Sequence, residues 1–363
     1  MTSFCIRPAT AADSVGLLNL LAATDQQGSI RLTFERAPDY FHAAAVSTEE
    51  PDIWLMEKAG HGVIATFSIG RRRVFMNGQP TVIRYGSDLR IHPNFQGGRT
   101  LFRLFTAYRE QMQNDWMQTV ILEENRASLN TVGSGRSILP QYIPVGTFTT
   151  RLISLRNPVR NRKSSNIRRA GHADIPAMQA FFNREAARKQ FYPCYDFSAI
   201  GSTDPYYRHI ALTDFFLQEE QGDITAMAGL WNQKAFKQTR VTGYSPLLNR
   251  LRPIYNGITR LSGHLPLPPP GALHHYQLLH SLCVKHNNPE RFAPLLHHII
   301  QVAGRSGSAA IACGFDSRDP LLNIACQYRG HTLKSRNFIA TYQPEQVQQL
   351  DLNRLQYPEI SRL

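Results

Sequence analysis

The stretch Leu89-Arg90-Ile91-His92-Pro93-Asn94-Phe95-Gln96-Gly97-Gly98-Arg99-Thr100-Leu101 passes from a strand pattern through a glycine turn into a helix. After the Gln-Gly-Gly-Arg-Thr turn, Leu101, Phe102, Leu104, Phe105, Tyr108 and Met112 recur at helical spacing along one stripe. The first-turn amides of a helix have no intrahelical partner, and the helix dipole adds positive potential there. Two adjacent glycines let the backbone approach a ligand with no Cβ in the way. Such a turn cradles an anion, and a phosphate-bearing cofactor is its natural occupant.

Strand, hydrophobic-x-Pro, glycine turn and helix in this order resemble the GCN5-related N-acetyltransferase superfamily (GNAT). Ile91, Pro93 and Gln96 stand where its pattern wants them, and Gly97 fills a position that is often Gly. The fourth and sixth loop positions, small in that family, are here Arg99 and Leu101. Gly98 then takes over the close approach, and Arg99 offers a fork-shaped cation to a phosphate. The resemblance implies acetyl-CoA or another acyl-CoA as cofactor, with no metal. The backbone of Leu89, Arg90 and Ile91 would pair with the pantetheine arm. The amides of Gln96, Gly97, Gly98, Arg99, Thr100 and Leu101 would hold the pyrophosphate.

Working outward, the chain has two halves that begin alike. Ile6-Arg7-Pro8-Ala9-Thr10-Ala11-Ala12-Asp13 is echoed by Ile167-Arg168-Arg169-Ala170-Gly171-His172-Ala173-Asp174, identical at five of eight positions. An apolar helical pattern follows each octet, and Asp13 and Asp174 are placed as helix N-caps. GNAT domains often open this way, so the resemblance extends to both halves. The expected fold is α/β, with two GNAT-like domains, each a mixed, mostly antiparallel central sheet flanked by helices. Residues 1–155 would be the acyl-CoA-binding domain, 156–166 a basic linker, 167–345 a degenerate copy and 346–363 a C-terminal tail.

In the first half, strands are predicted over 52–58, 63–75, 81–91, 119–123 and 148–154, with helices to about residue 113 and over 128–137. In the second, 247–261 is predicted helical, and Leu-Pro-Leu-Pro-Pro-Pro-Gly at 265–271 reads as a stiff surface loop. Leu282 and Val284 echo Leu89 and Ile91, but Lys285–Arg291 has no glycine and carries Glu290 where a phosphate would lie. The scaffold is read as duplicated, with the anion site kept in the first half alone.

Acyl transfer from a thioester to an amine needs a proton acceptor for the amine, donors for the oxyanion and a proton for the leaving thiolate. Asp88, directly before the pantetheine-binding stretch, is the first candidate base, with Glu123 and Glu124 as rivals. Each is equally an ordinary surface or turn carboxylate. For the thiolate acid the resemblance points to Tyr142, four residues before Gly146, although Pro140 and Pro144 predict that it lies on a loop. Asn125 and Asn130 lie where the family contacts the cofactor arm, and are equally ordinary loop residues. The resemblance therefore implies an N-acyltransferase whose acceptor, a small-molecule or protein amine, attacks the thioester directly. The alternative is a non-catalytic acyl-CoA-binding or regulatory protein.

The net charge of +13 raises a nucleic-acid reading, but its distribution is uneven. Residues 156–169 carry six Lys/Arg and no acid, against a net +2 before and +5 after. With Asn-Pro and Ser-Ser-Asn interleaved, this segment reads as an exposed linker, and no aromatic platform accompanies it, so nucleic acid is not an expected partner. No apolar run is long enough to span a bilayer and no signal-peptide pattern is seen, so a cytoplasmic protein without a membrane partner is expected. The five cysteines read as reduced, mostly buried thiols. The pairs His274-His275 and His297-His298 lack further ligands at metal spacing, and no metal is expected. Gly133-Ser134-Gly135 lacks the hydrolase elbow spacing and reads as a polar turn. The aromatics Phe191, Tyr192, Tyr195, Phe197, Tyr206 and Tyr207 read as core or domain interface.

Overall fold

The repeated octet builds one device twice. Arg7 forks onto Asp13 at 2.7 and 2.8 Å and reaches Glu57 at 3.0 Å; Arg168 forks onto Asp174 at 2.7 and 2.8 Å and reaches Glu219 at 2.5 Å. The expectation that these aspartates cap their helices is corrected. Each side chain turns back instead, accepting from the amide of Thr10 (2.7 Å) or Gly171 (2.8 Å), and so closes a tight turn before the helix. The arginine fork holds the Asp13 carboxyl well below the usual aspartate range and lowers that of Asp174.

In this computed structural model the described residues are 4–113, 115–156 and 166–363, apart from the side chains of 260, 261, 346 and 348. The first half runs β1 (Phe4–Pro8), α1 (Ser14–Ala22), β2 (Ile30–Glu35), α2 (Tyr40–Ser47), β3 (Ile53–Lys58), β4 (Gly62–Met76), β5 (Gln79–Ile91), α3 (Gly98–Met112), β6 (Trp116–Leu122), α4 (Arg126–Val132) and β7 (Gln141–Ser154). The second runs β8 (Ile167–Arg169), α5 (Ile175–Ala186), β9 (Tyr192–Pro193), β10 (Phe215–Glu220), β11 (Asp223–Trp231), β12 (Gln238–Tyr244), α6 (Pro246–Ser262), β13 (Tyr276–Val284), α7 (Pro289–Ala303), β14 (Ala310–Asp316), α8 (Leu321–Cys326) and β15 (Gly330–Thr341). Most of the predicted basic segment, including Arg160, Arg162 and Lys163, lies outside the described residues. Its far end is engaged: Arg168 is in the triad above, and Arg169 lies 4.9 Å from the Phe216 ring.

One continuous sheet spans both halves in the order β1-β3-β4-β5-β6-β15-β7-β14-β13-β11-β10-β8. The order is a palindrome in which the halves exchange their last strands. β15 from the second half inserts between β6 and β7, and β7 from the first half pairs with β14. The β7–β15 ladder runs from Gln141↔Thr341 to Ile153↔Gly330 and forms the centre of the molecule. Among the described strands β5–β6 and β13–β14 pair in parallel and the other ladders are antiparallel. A second small sheet joins β2 to β12, again across the halves.

Cores lie on both faces of the sheet. Leu17, Leu21, Tyr40 and Leu55 pack under α1 and α2, whereas Phe67, Leu104, Phe105, Tyr108 and Met112 pack under α3 on the opposite face. Phe102, expected on the α3 stripe, is instead exposed; it lies one residue off that face. The second-half aromatics are buried in the largest core as expected. The proline loop is not merely superficial, because Leu265 and Leu267 insert their side chains inward. Of the cysteines only Cys283 and Cys313 are buried, while Cys5 and Cys326 are exposed, so "mostly buried" is corrected; all five are free thiols.

Candidate functional site

Two parallel strands that pair only at one end leave a wedge between them. β5 and β6 are joined at Arg84↔Met117 and Tyr85↔Gln118 and then diverge, so Gly86–Ile91 has β4 on one side and no strand on the other. A Cβ at Gly86 would stand 2.6 Å from the Met117 sulfur, so a larger residue at the apex would have to displace Met117. Just beyond it, Asp88 takes a left-handed φ of 50° where the β4–β5 register shifts. This bulge re-aims the strand at the wedge.

The glycine turn closes the wide end. Pro93–Phe95 form a single tight turn, and Gly97 and Gly98 follow with φ of 84° and 51°. Open space lies where a Cβ of either would stand. α3 begins at once, and the amides of Gly98, Arg99 and Thr100 have no acceptor among the described residues. Gln96 and Arg99 are exposed beside them, whereas Thr100 is buried and Leu101 half-buried in the α3 core.

The three catalytic candidates have different surroundings. Asp88 faces the α1–α2 side, where Arg36 holds its carboxylate at 2.7 Å and the Tyr40 hydroxyl donates to it at 2.8 Å. Tyr142 lies on the α3 side, beside Tyr108 and Tyr342, so base and acid candidates occupy opposite faces of the sheet at the wedge. The expected loop is corrected: Tyr142 is inside β7 opposite Ala340, because that long strand tolerates Pro144 where the ladder with β15 shifts register. Burial pushes its hydroxyl pKa upward. Glu123 pairs with Arg336 at 3.6 Å, and Glu124 accepts from the Ser29 amide at 2.9 Å. Asn125 caps α4 by accepting from the Ser128 amide.

Sequence reasoning missed the cations around Asp88. Besides Arg36, buried Arg90 lies within reach of the Asp88 charge. Lys237 arrives from the loop between β11 and β12 of the other half, in contact with the main-chain oxygen of Leu363. Burial, with Arg36, Arg72 and Arg362 nearby, pushes the Lys237 amine down to about 7, and Asp88 only partly opposes this. No local motif marks Lys237; a stretch without acids around it was the only available signal.

The equivalent wedge in the second half is filled. β13 and β14 pair from Tyr276↔Ala310 to Leu278↔Ala312 and then part. Beyond that point Tyr357 accepts from the Leu282 amide (3.2 Å), Tyr192 donates to the Leu282 carbonyl (2.8 Å) and Glu359 accepts from the Ser281 amide (3.0 Å). Where the glycine turn would lie, Glu185 accepts from the His286 amide at 3.0 Å. A small cavity of about 80 Å³ lies beside Cys283. Among the described residues no three His, Cys, Asp or Glu side chains are grouped to hold a metal ion.

No protein-family model matches the chain, and no curated protein matches it by sequence. Solved structures do. Saccharomyces cerevisiae N-myristoyltransferase with bound myristoyl-CoA superposes with a TM-score of 0.59 at 10% identity, over 94% of this chain and 83% of that one. A GCN5-related N-acetyltransferase from Sphaerobacter thermophilus gives 0.56 at 15% identity, over 94% and 96%. A GCN5-related glucosamine N-acetyltransferase region of a fungal multi-domain β-N-acetylglucosaminidase gives 0.58 at 10% identity, over 93% and 38%. The chain has the GNAT fold. At these identities the likeness extends to the fold, as the strand-turn-helix order and the repeated octet led us to expect.

Proposed function

We propose that this protein is an acyl-CoA-dependent N-acyltransferase. In this reading residues 1–155 hold acetyl-CoA or another acyl-CoA, and residues 167–345 complete the acceptor pocket. The observation that carries it is the contrast between the two wedges. One has an unpaired strand edge, two glycines with open space above them and free helix-terminal amides. In the other, the matching strand amides are taken by Tyr357 and Glu359. The structural neighbours that bind or use acyl-CoA support this reading.

The residues present fit such a group. Leu89, Arg90 and Ile91 offer a strand edge to an amide-bearing arm, and Gly98, Arg99 and Thr100 offer amides to phosphates, with Arg99 as an added cation. When bound, acyl-CoA supplies the thioester. Arg36, Arg90 and Lys237 surround one carboxylate, leaving positive charge in excess at the wedge. Burial first, and this field second, disfavour an ammonium there, as at Lys237, and an acceptor amine placed there loses its proton more readily. The same charge favours a developing oxyanion or thiolate. Asp88, already bound by Arg36 and Tyr40, orients these cations, with Glu123 and Tyr142 as the remaining candidate groups.

Isothermal titration with CoA tests the cofactor reading, with Gly97→Asp placing a carboxylate and a strained backbone in the turn. Binding weakened by about tenfold or more supports it; unchanged binding overturns it. CoA-thiol release against an amine panel then separates an enzyme from a non-catalytic acyl-CoA-binding protein, which the capture of Asp88 by Arg36 would favour.

A further inference from the structure

α6 has two apolar faces, and the fold uses one. Pro246 at its first turn and Gly263 with φ 71° just past its end define the helix. Leu248 and Tyr255 pack onto the small β2–β12 sheet with Leu32, Val241 and Tyr244. Offset from these by one residue, Leu247, Leu251, Ile254 and Ile258 are 70%, 44%, 63% and 59% exposed. Their spacing of four, three and four places them on one stripe. Among the described residues, four of the nine exposed large hydrophobic side chains stand on this one helix, so the stripe is a surface feature and not scatter.

α6 itself carries no acid. Between Asp223 and Glu290 the sequence contains no Asp or Glu, while α6 contributes Arg250 and Arg252. Arg240, on the neighbouring β12, is already paired with Glu35 at 2.6 Å, so the free cations here are those of α6 itself. A helix with exposed aliphatic residues flanked by arginine, and with no acid, suits an anionic lipid interface, where apolar side chains enter the acyl boundary and the guanidinium groups meet phosphates. A second copy is a poorer occupant, because a two-fold contact through α6 would bring together two helices that carry arginine and no acid. No helix of the described residues is long and apolar enough to cross a membrane, and α6 needs only to lie flat.

We infer that α6 seats this protein on the surface of an anionic phospholipid bilayer. The inference stands apart from the cofactor reading. Co-sedimentation of the full chain with phosphatidylglycerol–phosphatidylcholine vesicles, against phosphatidylcholine alone, tests it. Binding to the anionic vesicles, reduced about tenfold or more in Ile254→Glu with melting temperature and CoA titration unchanged, is the expected result. Three outcomes overturn it: no binding, equal binding to both vesicles, or Ile254→Glu binding as well as the parent. A dimer in solution that Ile254→Glu disperses also overturns it, since the stripe is then a contact between copies.

Discussion

Asp88 and Ser281 stand at equivalent bulges of the two halves, with φ of 50° and 51°, yet the two wedges are completed in opposite ways. At the first, the side chain is an anion drawing in Arg36 and the Tyr40 hydroxyl. At the second, the backbone amide is taken by Glu359 and the side chain turns to His280 at 2.7 Å. One backbone device thus supports an open cationic cleft in one half and a packed interior in the other.

The Asp88–Arg36 pair is largely buried, so removing one partner strands a charge. Asp88→Asn is expected to cost about 3 kcal/mol in urea unfolding, and Asp88→Asn with Arg36→Met to recover much of that loss. A double variant no more stable than the single would show that Arg36 has another counter-charge.

Tyr357 and Tyr192 satisfy the Leu282 backbone from both sides, their rings stacked at 3.7 Å. Tyr357→Phe leaves the buried Leu282 amide without an acceptor and should cost about 1–2 kcal/mol. Titration should give one CoA per chain in the parent and in the variant; two would mean that the second wedge also opens to ligand.

Lys237 has a folded-state pKa of about 7 against an ordinary 10.5. Between these values the unfolded chain binds a proton that the folded chain does not, so the contribution of Lys237 to stability grows as pH rises. Urea midpoints of the parent and of Lys237→Met, measured upward from pH 7, should diverge in favour of the parent. Parallel curves would place Lys237 in water.

The two octet aspartates have the same sign of pH dependence but act at the acid end of the range. Their folded pKa values lie below the ordinary range, so their contribution is present above about 3.9 and is lost as pH falls further. Asp13→Asn with Asp174→Asn should flatten the acid limb of an unfolding curve and leave the neutral region nearly unchanged beyond a constant offset.

Local chemistry was legible in the sequence and long-range pairing was not. Gly97, Gly98 and the octets announce themselves because turn conformation and the Arg7–Asp13 fork are fixed within a few residues. The exchange of β7 and β15, and the pairing of β2 with β12, join residues some two hundred positions apart, and no periodicity encodes them. Tyr142 was misplaced for that reason: two prolines read as a loop, but the β15 ladder draws the segment into the sheet. The filling of the second wedge by Tyr357 and Glu359, and the arrival of Lys237 beside Asp88, depend on tertiary approach alone.

The central β7–β15 ladder also bears on how such a chain assembles. Each half lends its final strand to its sibling, so neither half, taken alone, has the neighbour that its own parallel strand requires. Severed between β7 and β8, the two pieces would each present a raw sheet margin shaped for the other. Reassociation of separate fragments, more than autonomous folding of either, is the behaviour this architecture dictates, and a duplication that has reached this stage is locked into a single cooperative unit.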